Sequence, residues 1–203
     1  MSCRILRSLV LALFAALVAQ PASAQLGDIL LAPKTLVDRA IEARSSADIA
    51  RDNAIVLDVN KIMADLGTIK ASTEIYEGHL LVTGLFNDVE TYREFETGVR
   101  SVKDVRKLYW HVLYLTEKAQ KEAIAEGRLM DWPDVIVFEK KALARLIGTA
   151  GVADVNFRVR GDALGNLYLL GRARSGEELR KAVAKLEEGE GVRRVYNYAV
   201  VRP

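Results

Sequence analysis

The chain has few of the side chains on which covalent and metal chemistry depend. Its 203 residues include 1 cysteine and 2 histidines. Cys3 precedes the first apolar run, so the rest of the chain offers no disulfide, no thiol nucleophile and no thiolate metal site. His79 and His111 form no H-E-x-x-H or other paired-histidine spacing, and no G-x-S-x-G elbow is present. We therefore expect no catalytic residues, no metal and no cofactor.

Long apolar runs are also lacking, except near the N-terminus. Leu9–Ala19 has no polar residue, follows Arg4 and Arg7, and precedes Ala22-Ser23-Ala24. A basic start, a short apolar run and an A-x-A site are typical of a cleaved export signal. The run is shorter than the ~20 residues that a transmembrane helix needs. We predict a signal peptide over 1–24 and a periplasmic protein that is peripheral to a membrane surface; an uncleaved anchor is the alternative.

Charge of one sign is not in excess once the signal is set aside. The whole chain carries a formal net charge of +2, is 50% hydrophobic and is 28% charged, which is the composition of a globular protein. Removal of the signal takes away two arginines, so the overall charge predicts no nucleic-acid partner. Residues 25–133 are net acidic and residues 134–203 net basic, which suggests two uses of one fold.

The chain contains an internal repeat. Leu80–Gly84 resembles Leu167–Gly171, and the same spacing carries Glu90 onto Glu177. Apolar periodicity in each copy predicts helix, strand, strand, helix, strand. We predict an α+β fold of two tandem αββαβ sandwiches, each with helices on one face of a small mixed sheet. The predicted parts are a helical lead-in over 25–46, domains over 47–116 and 135–203, and a helical linker over 117–134.

Two glycine-bounded segments and one strand ending suggest a family. The segments are Gly78–Gly84 and Gly165–Gly171, and the ending is Gly191-Val192-Arg193-Arg194-Val195-Tyr196-Asn197. The chain resembles the tandem BON-domain proteins of bacterial envelopes, with their pattern "G-x-v-x-l-x-G", a helix and "G-V-x-x-V-x-N". The first copy departs from it, because Lys103-Asp104-Val105 lacks the glycine and Trp110 stands where Asn197 stands.

The resemblance implies a non-enzymatic module of the cell envelope. Relatives are tied to stress response and outer-membrane integrity, and association with anionic phospholipid is known for the tandem type. Some are outer-membrane lipoproteins. This chain lacks their lipid-bearing cysteine, so lipid anchoring is not implied for it.

Alternation along the strands of the second copy predicts a sheet face rich in arginine and tyrosine. Arginine binds phosphate as a fork, and tyrosine suits a membrane interface. The predicted lipid-binding set is Arg158, Arg160, Tyr168, Arg172, Arg174, Arg194, Tyr196 and Tyr198. Val195, Asn197, Ala199 and Val201 should face the helices. Two alternatives stay open: a solvated face, and docking of this face against the acidic first copy.

A second candidate site lies where the second copy begins. Aromatic and apolar residues stand there beside two lysines, as suits shallow insertion among lipid headgroups. The residues are Trp132, Ile136, Phe138, Lys140 and Lys141. The alternative is packing between the two copies. Nearby, Gly148-Thr149-Ala150-Gly151 matches the G-x-x-G loop of KH domains, but its position favours a helix stop.

We therefore expect a non-catalytic periplasmic module for envelope maintenance and stress, which binds anionic phospholipid mainly through its second domain. No nucleic acid and no small-molecule substrate are expected as partners. The first alternative is a protein-interaction adaptor, or a chaperone-like periplasmic stress protein, with an envelope protein as partner and no lipid binding. The second alternative is a small-ligand or enzymatic role.

Overall fold

The structure, a computed structural model, describes residues 42–202. The predicted signal peptide over 1–24 and most of the predicted lead-in over 25–46 lie outside the described residues.

Helices and strands follow one another in an order that occurs twice. The first half comprises α1 (Ser46–Asp65), β1 (Ala71–Tyr76), β2 (His79–Phe86), α2 (Val89–Ser101) and β3 (Lys107–Tyr114), and α3 (Glu117–Ala125) follows it. The second half comprises α4 (Trp132–Ile147), β4 (Phe157–Gly161), β5 (Asn166–Ala173), α5 (Gly176–Glu187), β6 (Arg194–Asn197) and β7 (Val200–Val201). The predicted α+β class is confirmed.

Short polar residues set where the helices begin. The Ser45 side chain accepts a hydrogen bond at the start of α1, and Ser175 does the same for α5. Such caps satisfy backbone N–H groups that have no partner inside the helix. Asp131 caps α4, and a proline follows in the first turn. α4 therefore begins before residue 135, the predicted start of the second domain, and Trp132 belongs to it.

Each half contains one mixed sheet, in which a central strand pairs with a neighbouring strand on either side. β2 pairs antiparallel with β1 and parallel with β3, and β5 pairs likewise with β4 and β6. In each half, the helices cover one face of the sheet. The two cores lie between helices and sheet, and their members include Val59, Leu80, Val82 and Phe95 in the first half and Ala142, Leu146, Leu167 and Leu169 in the second.

The last strand differs from the prediction because it is interrupted. The Asn197 side chain accepts a hydrogen bond from the Ala199 backbone at 3.0 Å, and pairing with β5 resumes only at Val200. Asn197 is exposed, and Val201 is 45% exposed. The expected inward orientation is therefore wrong for Asn197 and Val201. Val195 and Ala199 do pack against the core of the second half.

A buried acid joins the first helix of each half to the strands beneath it. Asp52 on α1 accepts hydrogen bonds from the backbone nitrogens of Glu77 and Gly78, both at 2.8 Å. Glu139 on α4 accepts one from the backbone nitrogen of Gly161 at 3.0 Å. Because a buried N–H without an acceptor costs about 1–3 kcal/mol, these carboxylates fix the position of each helix over its sheet.

Candidate functional site

The faces of the two sheets that carry no helices pack against each other. Residues 42–202 form one compact unit. Tyr76 and Leu81 of the first half form a buried cluster with Tyr168 and Leu170 of the second. The order of layers is therefore helix, sheet, sheet, helix. Of the alternatives left open by the sequence, docking of the arginine and tyrosine face against the first half is the arrangement in the structure.

Stacked rings join the two sheets at this contact, which we call the intersheet contact. The rings of Tyr109 and Tyr198 stack with their centroids 4.0 Å apart, and so do the rings of His111 and Tyr168. The His111 Nε2 atom lies 2.9 Å from the Tyr198 hydroxyl oxygen. An aromatic pair contributes about 0.5–1.5 kcal/mol beyond the area that it buries. The rings therefore favour the closed arrangement of the two sheets.

Ion pairs between the halves neutralise the arginines of the second half. Glu74 on β1 lies 2.7 Å from Arg160 and 3.7 Å from Arg158. Glu77, in the turn after β1, lies 2.7 Å from Arg202 and 4.0 Å from Arg172. Glu74 and Glu77 of the first half thus occupy the places where an external anion would have to bind.

The predicted lipid-binding sheet face is not one open surface in this structure. Arg158, Arg160 and Arg172 lie in the intersheet contact, and Tyr168 is 3% exposed. Tyr196 and Tyr198 pack at the edge of the same buried cluster. Arg194 is exposed, with its guanidinium 4.8 Å from the centre of the Tyr196 ring. Arg174 is exposed as well and pairs within its own half with Glu178 at 3.0 Å.

Burial controls the ionisation of the polar groups in the intersheet contact. Burial raises the pKa of the Tyr76 hydroxyl to about 12. Burial, together with a 2.6 Å hydrogen bond to Asp162, raises the pKa of Tyr168. Burial lowers the pKa of His111 below its ordinary value of 6.5. All three side chains are therefore uncharged at neutral pH, as a packed contact requires.

The second predicted site is divided between core and surface. Trp132 is 7% exposed and packs with Leu85, on the first half, and Ala163, on the second. Phe138 is 6% exposed and belongs to the core of the second half. Trp132 therefore packs between the two halves, which is the alternative that the sequence left open, whereas Phe138 packs within the second half. Ile136 is half-buried, and Lys140 and Lys141 are exposed.

An exposed surface that the sequence interpretation missed lies on α4. Val137 is 50% exposed, Leu143 39% and Ile147 48%. Together with Lys140 and Lys141 they form what we call the outer face of α4. Residues three or four positions apart on a helix lie side by side, which brings the lysines among the apolar side chains. The sequence does carry a signal for this exposed surface. Apolar residues occur on more sides of α4 than packing against a single core requires.

No acid neutralises the two lysines on this face. Neither Lys140 nor Lys141 forms an ion pair with any residue in the range 42–202. Glu139, their neighbour in sequence, is buried on the other side of α4 and faces Arg160. The outer face of α4 is thus both apolar and positively charged.

The described part of the chain also limits other kinds of site. None of its helices is long and apolar enough to cross a membrane. Within residues 42–202, no three histidine, cysteine, aspartate or glutamate side chains come together in a way that would hold a metal ion.

Comparison with known proteins gives weak similarity only. No family model matches the chain, and no curated protein does. Among solved structures, CdsD, a structural protein of the type III secretion system of Chlamydia trachomatis, is 14% identical. The matched region covers 74% of this chain and 93% of the CdsD chain, with a TM-score of 0.30. The C-terminal domain of CdsD gives the same identity and score over 73% and 98%. This similarity is too low to establish a shared fold or function.

The ion pair between Glu74 and Arg160 should contribute measurably to stability. In a double-mutant cycle of Glu74→Gln and Arg160→Gln, we expect a coupling energy of about 1–2 kcal/mol from urea unfolding, because both side chains are largely shielded from water. The matched control is the pair Glu117 and Lys121, which is as short at 2.6 Å but is 66% and 74% exposed. It should give no more than about 0.5 kcal/mol. Equal coupling in both cycles would contradict the intersheet contact.

Stability should fall on mild acidification, because the native protein resists protonation of His111. With its pKa lowered in the folded state, His111 binds fewer protons there than in the unfolded chain. The free energy of unfolding should therefore decrease as pH falls from about 7.5 to 5.5. His111→Phe should reduce this slope, measured by urea unfolding at each pH. Some slope should remain, because the pKa of His79 is also lowered by burial. An unchanged slope in His111→Phe would argue against a buried imidazole.

Proposed function

We propose that the protein is a non-catalytic module of the bacterial envelope that attaches peripherally to anionic phospholipid surfaces through the outer face of α4. The observation that carries this proposal is the exposure of Val137, Leu143 and Ile147 among unpaired Lys140 and Lys141. A helix with apolar side chains and lysines on its exposed side suits the boundary between headgroups and acyl chains. The apolar groups enter that boundary, and the ammonium groups stay with the phosphates.

The arrangement of the layers supports this orientation. Because the sheets pack against each other, the helices of the two halves lie on opposite outer sides. Attachment through α4 therefore turns the net acidic first half away from an anionic bilayer. The corresponding helix of the first half, α1, exposes one large apolar side chain, Leu57, and next to it lies Asp58. Charge thus favours the second half as the bound side.

Attachment of this kind is weak and reversible. Each basic residue close to an anionic surface contributes about 1 kcal/mol, and the contribution decreases with salt. Two lysines therefore contribute about 2 kcal/mol, the three partly exposed aliphatic side chains add to this, and the sum is far from the hold of a transmembrane helix. This fits a role in envelope maintenance and stress, with the protein recruited to anionic regions of a membrane.

We further propose that the two halves are BON-like domains and that the protein acts in the periplasm. The repeated order of helix, strand, strand, helix, strand supports the first point, together with the ending Gly191–Asn197. The predicted export signal over 1–24 supports the second.

An adaptor role is the second candidate, and one observation favours it. Val200 and Val201 on β7 are 37% and 45% exposed. β7 pairs with β5 and, among the described strands, with no other. A strand of this kind can accept an extended segment of a partner protein by strand addition.

Vesicle flotation tests the membrane proposal. The purified protein should float with phosphatidylglycerol-containing vesicles at low salt, and much less with pure phosphatidylcholine or at high salt. Lys140→Glu should weaken binding about tenfold, since it removes one favourable charge and adds a repulsive one. The matched control is Lys61→Glu, the same charge change at an exposed lysine of α1. Equal weakening by both variants, or no flotation of the wild type, would contradict the proposal and leave the adaptor role.

A further inference from the structure

A second basic feature lies between the ends of α4 and α5. A cleft of about 710 Å³ opens there, which we call the α4–α5 cleft. Three basic side chains line it, namely Arg145, Lys181 and Lys185, against one acid, Glu188. The turn Gly148-Thr149-Ala150 closes one side. The cleft uses none of the side chains that form the outer face of α4.

Arg145 is the unusual member of this group. Its Nη1 atom is buried and has no hydrogen-bond partner among the described residues. No acid within residues 42–202 forms an ion pair with it. A Cβ atom on Gly189 would stand 2.7 Å from Nη1, so the glycine leaves the space that the guanidinium occupies. Gly189 does not line the cleft, so an anion in the cleft would meet the Arg145 guanidinium through its other N–H groups.

The two lysines can turn towards such an anion at little cost. Lys181 pairs with Glu177 at 2.8 Å and Lys185 with Glu188 at 2.6 Å. In each pair both side chains are between 43% and 68% exposed. Exposed pairs of this kind contribute about 0–1 kcal/mol, so a ligand of higher charge can displace either acid.

The ends of α4 and α5 explain why basic side chains collect at the cleft, but they do not explain the unpaired Arg145 Nη1 atom. Both helices end at the cleft, and basic side chains are favoured near the partly negative C-terminal end of a helix. That effect explains why lysines and arginines collect there. It does not satisfy Arg145 Nη1, for which neither helix supplies a bonded carbonyl. A phosphomonoester suits the site better than a carboxylate, since it carries more charge and more free oxygens to share among one guanidinium and two ammonium groups, whereas a phosphodiester headgroup matches a carboxylate in charge.

We infer that the α4–α5 cleft binds a phosphate group, presented either by a soluble phosphomonoester or by a phospholipid headgroup. The inference goes beyond the proposed membrane attachment and does not rest on it, because different side chains carry the two. A site of this kind would give the second half a chemical selectivity that a merely basic surface lacks.

Titration followed by NMR tests the cleft directly. Inorganic phosphate and glycerol 1-phosphate are added separately to the ¹⁵N-labelled protein at constant ionic strength, with sodium chloride as the reference. We expect saturable shifts of the Arg145 Nε–H signal and of the amides of residues 148–151. Arg145→Gln should weaken binding about tenfold, the factor expected for a hydrogen bond to a charged group. Lys181→Gln, at an exposed residue that the fold does not need, should weaken it severalfold.

The matched control is Arg180→Gln, which removes an exposed arginine of α5 that does not line the cleft. Phosphate affinity should be the same in this variant as in the wild type. The absence of saturable shifts with both probes, or equal affinity in Arg145→Gln and the wild type, would overturn the inference. So would a similar loss of affinity in Arg180→Gln, which would indicate diffuse attraction to the basic half.

Vesicles distinguish the two sources of phosphate and separate this inference from the membrane proposal. If the headgroup is the ligand, Arg145→Gln should lower binding to phosphatidylglycerol vesicles as well as to glycerol 1-phosphate. If the ligand is soluble, Arg145→Gln should lower only the binding of the free probes. Failure of Lys140→Glu to affect vesicles would refute the outer face of α4 and leave the cleft standing. Loss of vesicle binding in Lys140→Glu with no phosphate binding would refute the cleft alone.

Discussion

Neutralisation of the half-buried arginines on β4 is the constraint on which the rest of the structure depends. Arg158 and Arg160 project from β4 into the space between the sheets, where an unpaired charge would cost several kcal/mol. Glu74 supplies the opposite charge from the first half, and Glu139 supplies it from α4. The stacked tyrosines fill the remaining space. Without a partner of opposite charge, the second half would have to leave this face open to water.

The location of surfaces available to a partner follows from this contact. With both sheets turned inward, the outer sides of the helices and the strand edges are what the folded protein presents. Leu143 and Ile147 are then exposed on a helix that already buries Ala142 and Leu146 on its other side. Such a helix has two apolar sides, one that stabilises the fold and one that remains for another molecule. For the anionic surface that we propose as the partner, the asymmetry of charge between the halves favours the second half as the bound side.

Much of the fold was predictable from local patterns, and the reason is physical. The alternation in Phe157–Val159 and Leu167–Leu169 reports directly which side chains face the helices, because the period of a strand is fixed. The repeat placed the same elements in both halves. The break at Asn197 was not predictable from alternation, since it depends on a side chain that bonds to its own backbone in place of a neighbouring strand.

The candidate site was less predictable than the fold. Alternation identified Tyr168 and Arg158 as facing away from the helices, but it carries no information on what packs against that face. Trp132 and Phe138 were grouped with Lys140 because they are close in sequence, whereas helical geometry turns the rings inward and the lysine outward. A helical projection of α4 would have separated them and drawn attention to Val137 and Leu143.

The most direct test of the account is an NMR measurement of contacts between the two halves in solution. Nuclear Overhauser effects between the rings of Tyr109 and Tyr198, and between His111 and Tyr168, report on pairs that are far apart in the sequence. Strong effects are expected for both pairs, since each pair of ring centroids is 4.0 Å apart. Their absence, with the contacts inside each half intact, would mean that the sheets are open and that the arginine and tyrosine face is free to bind.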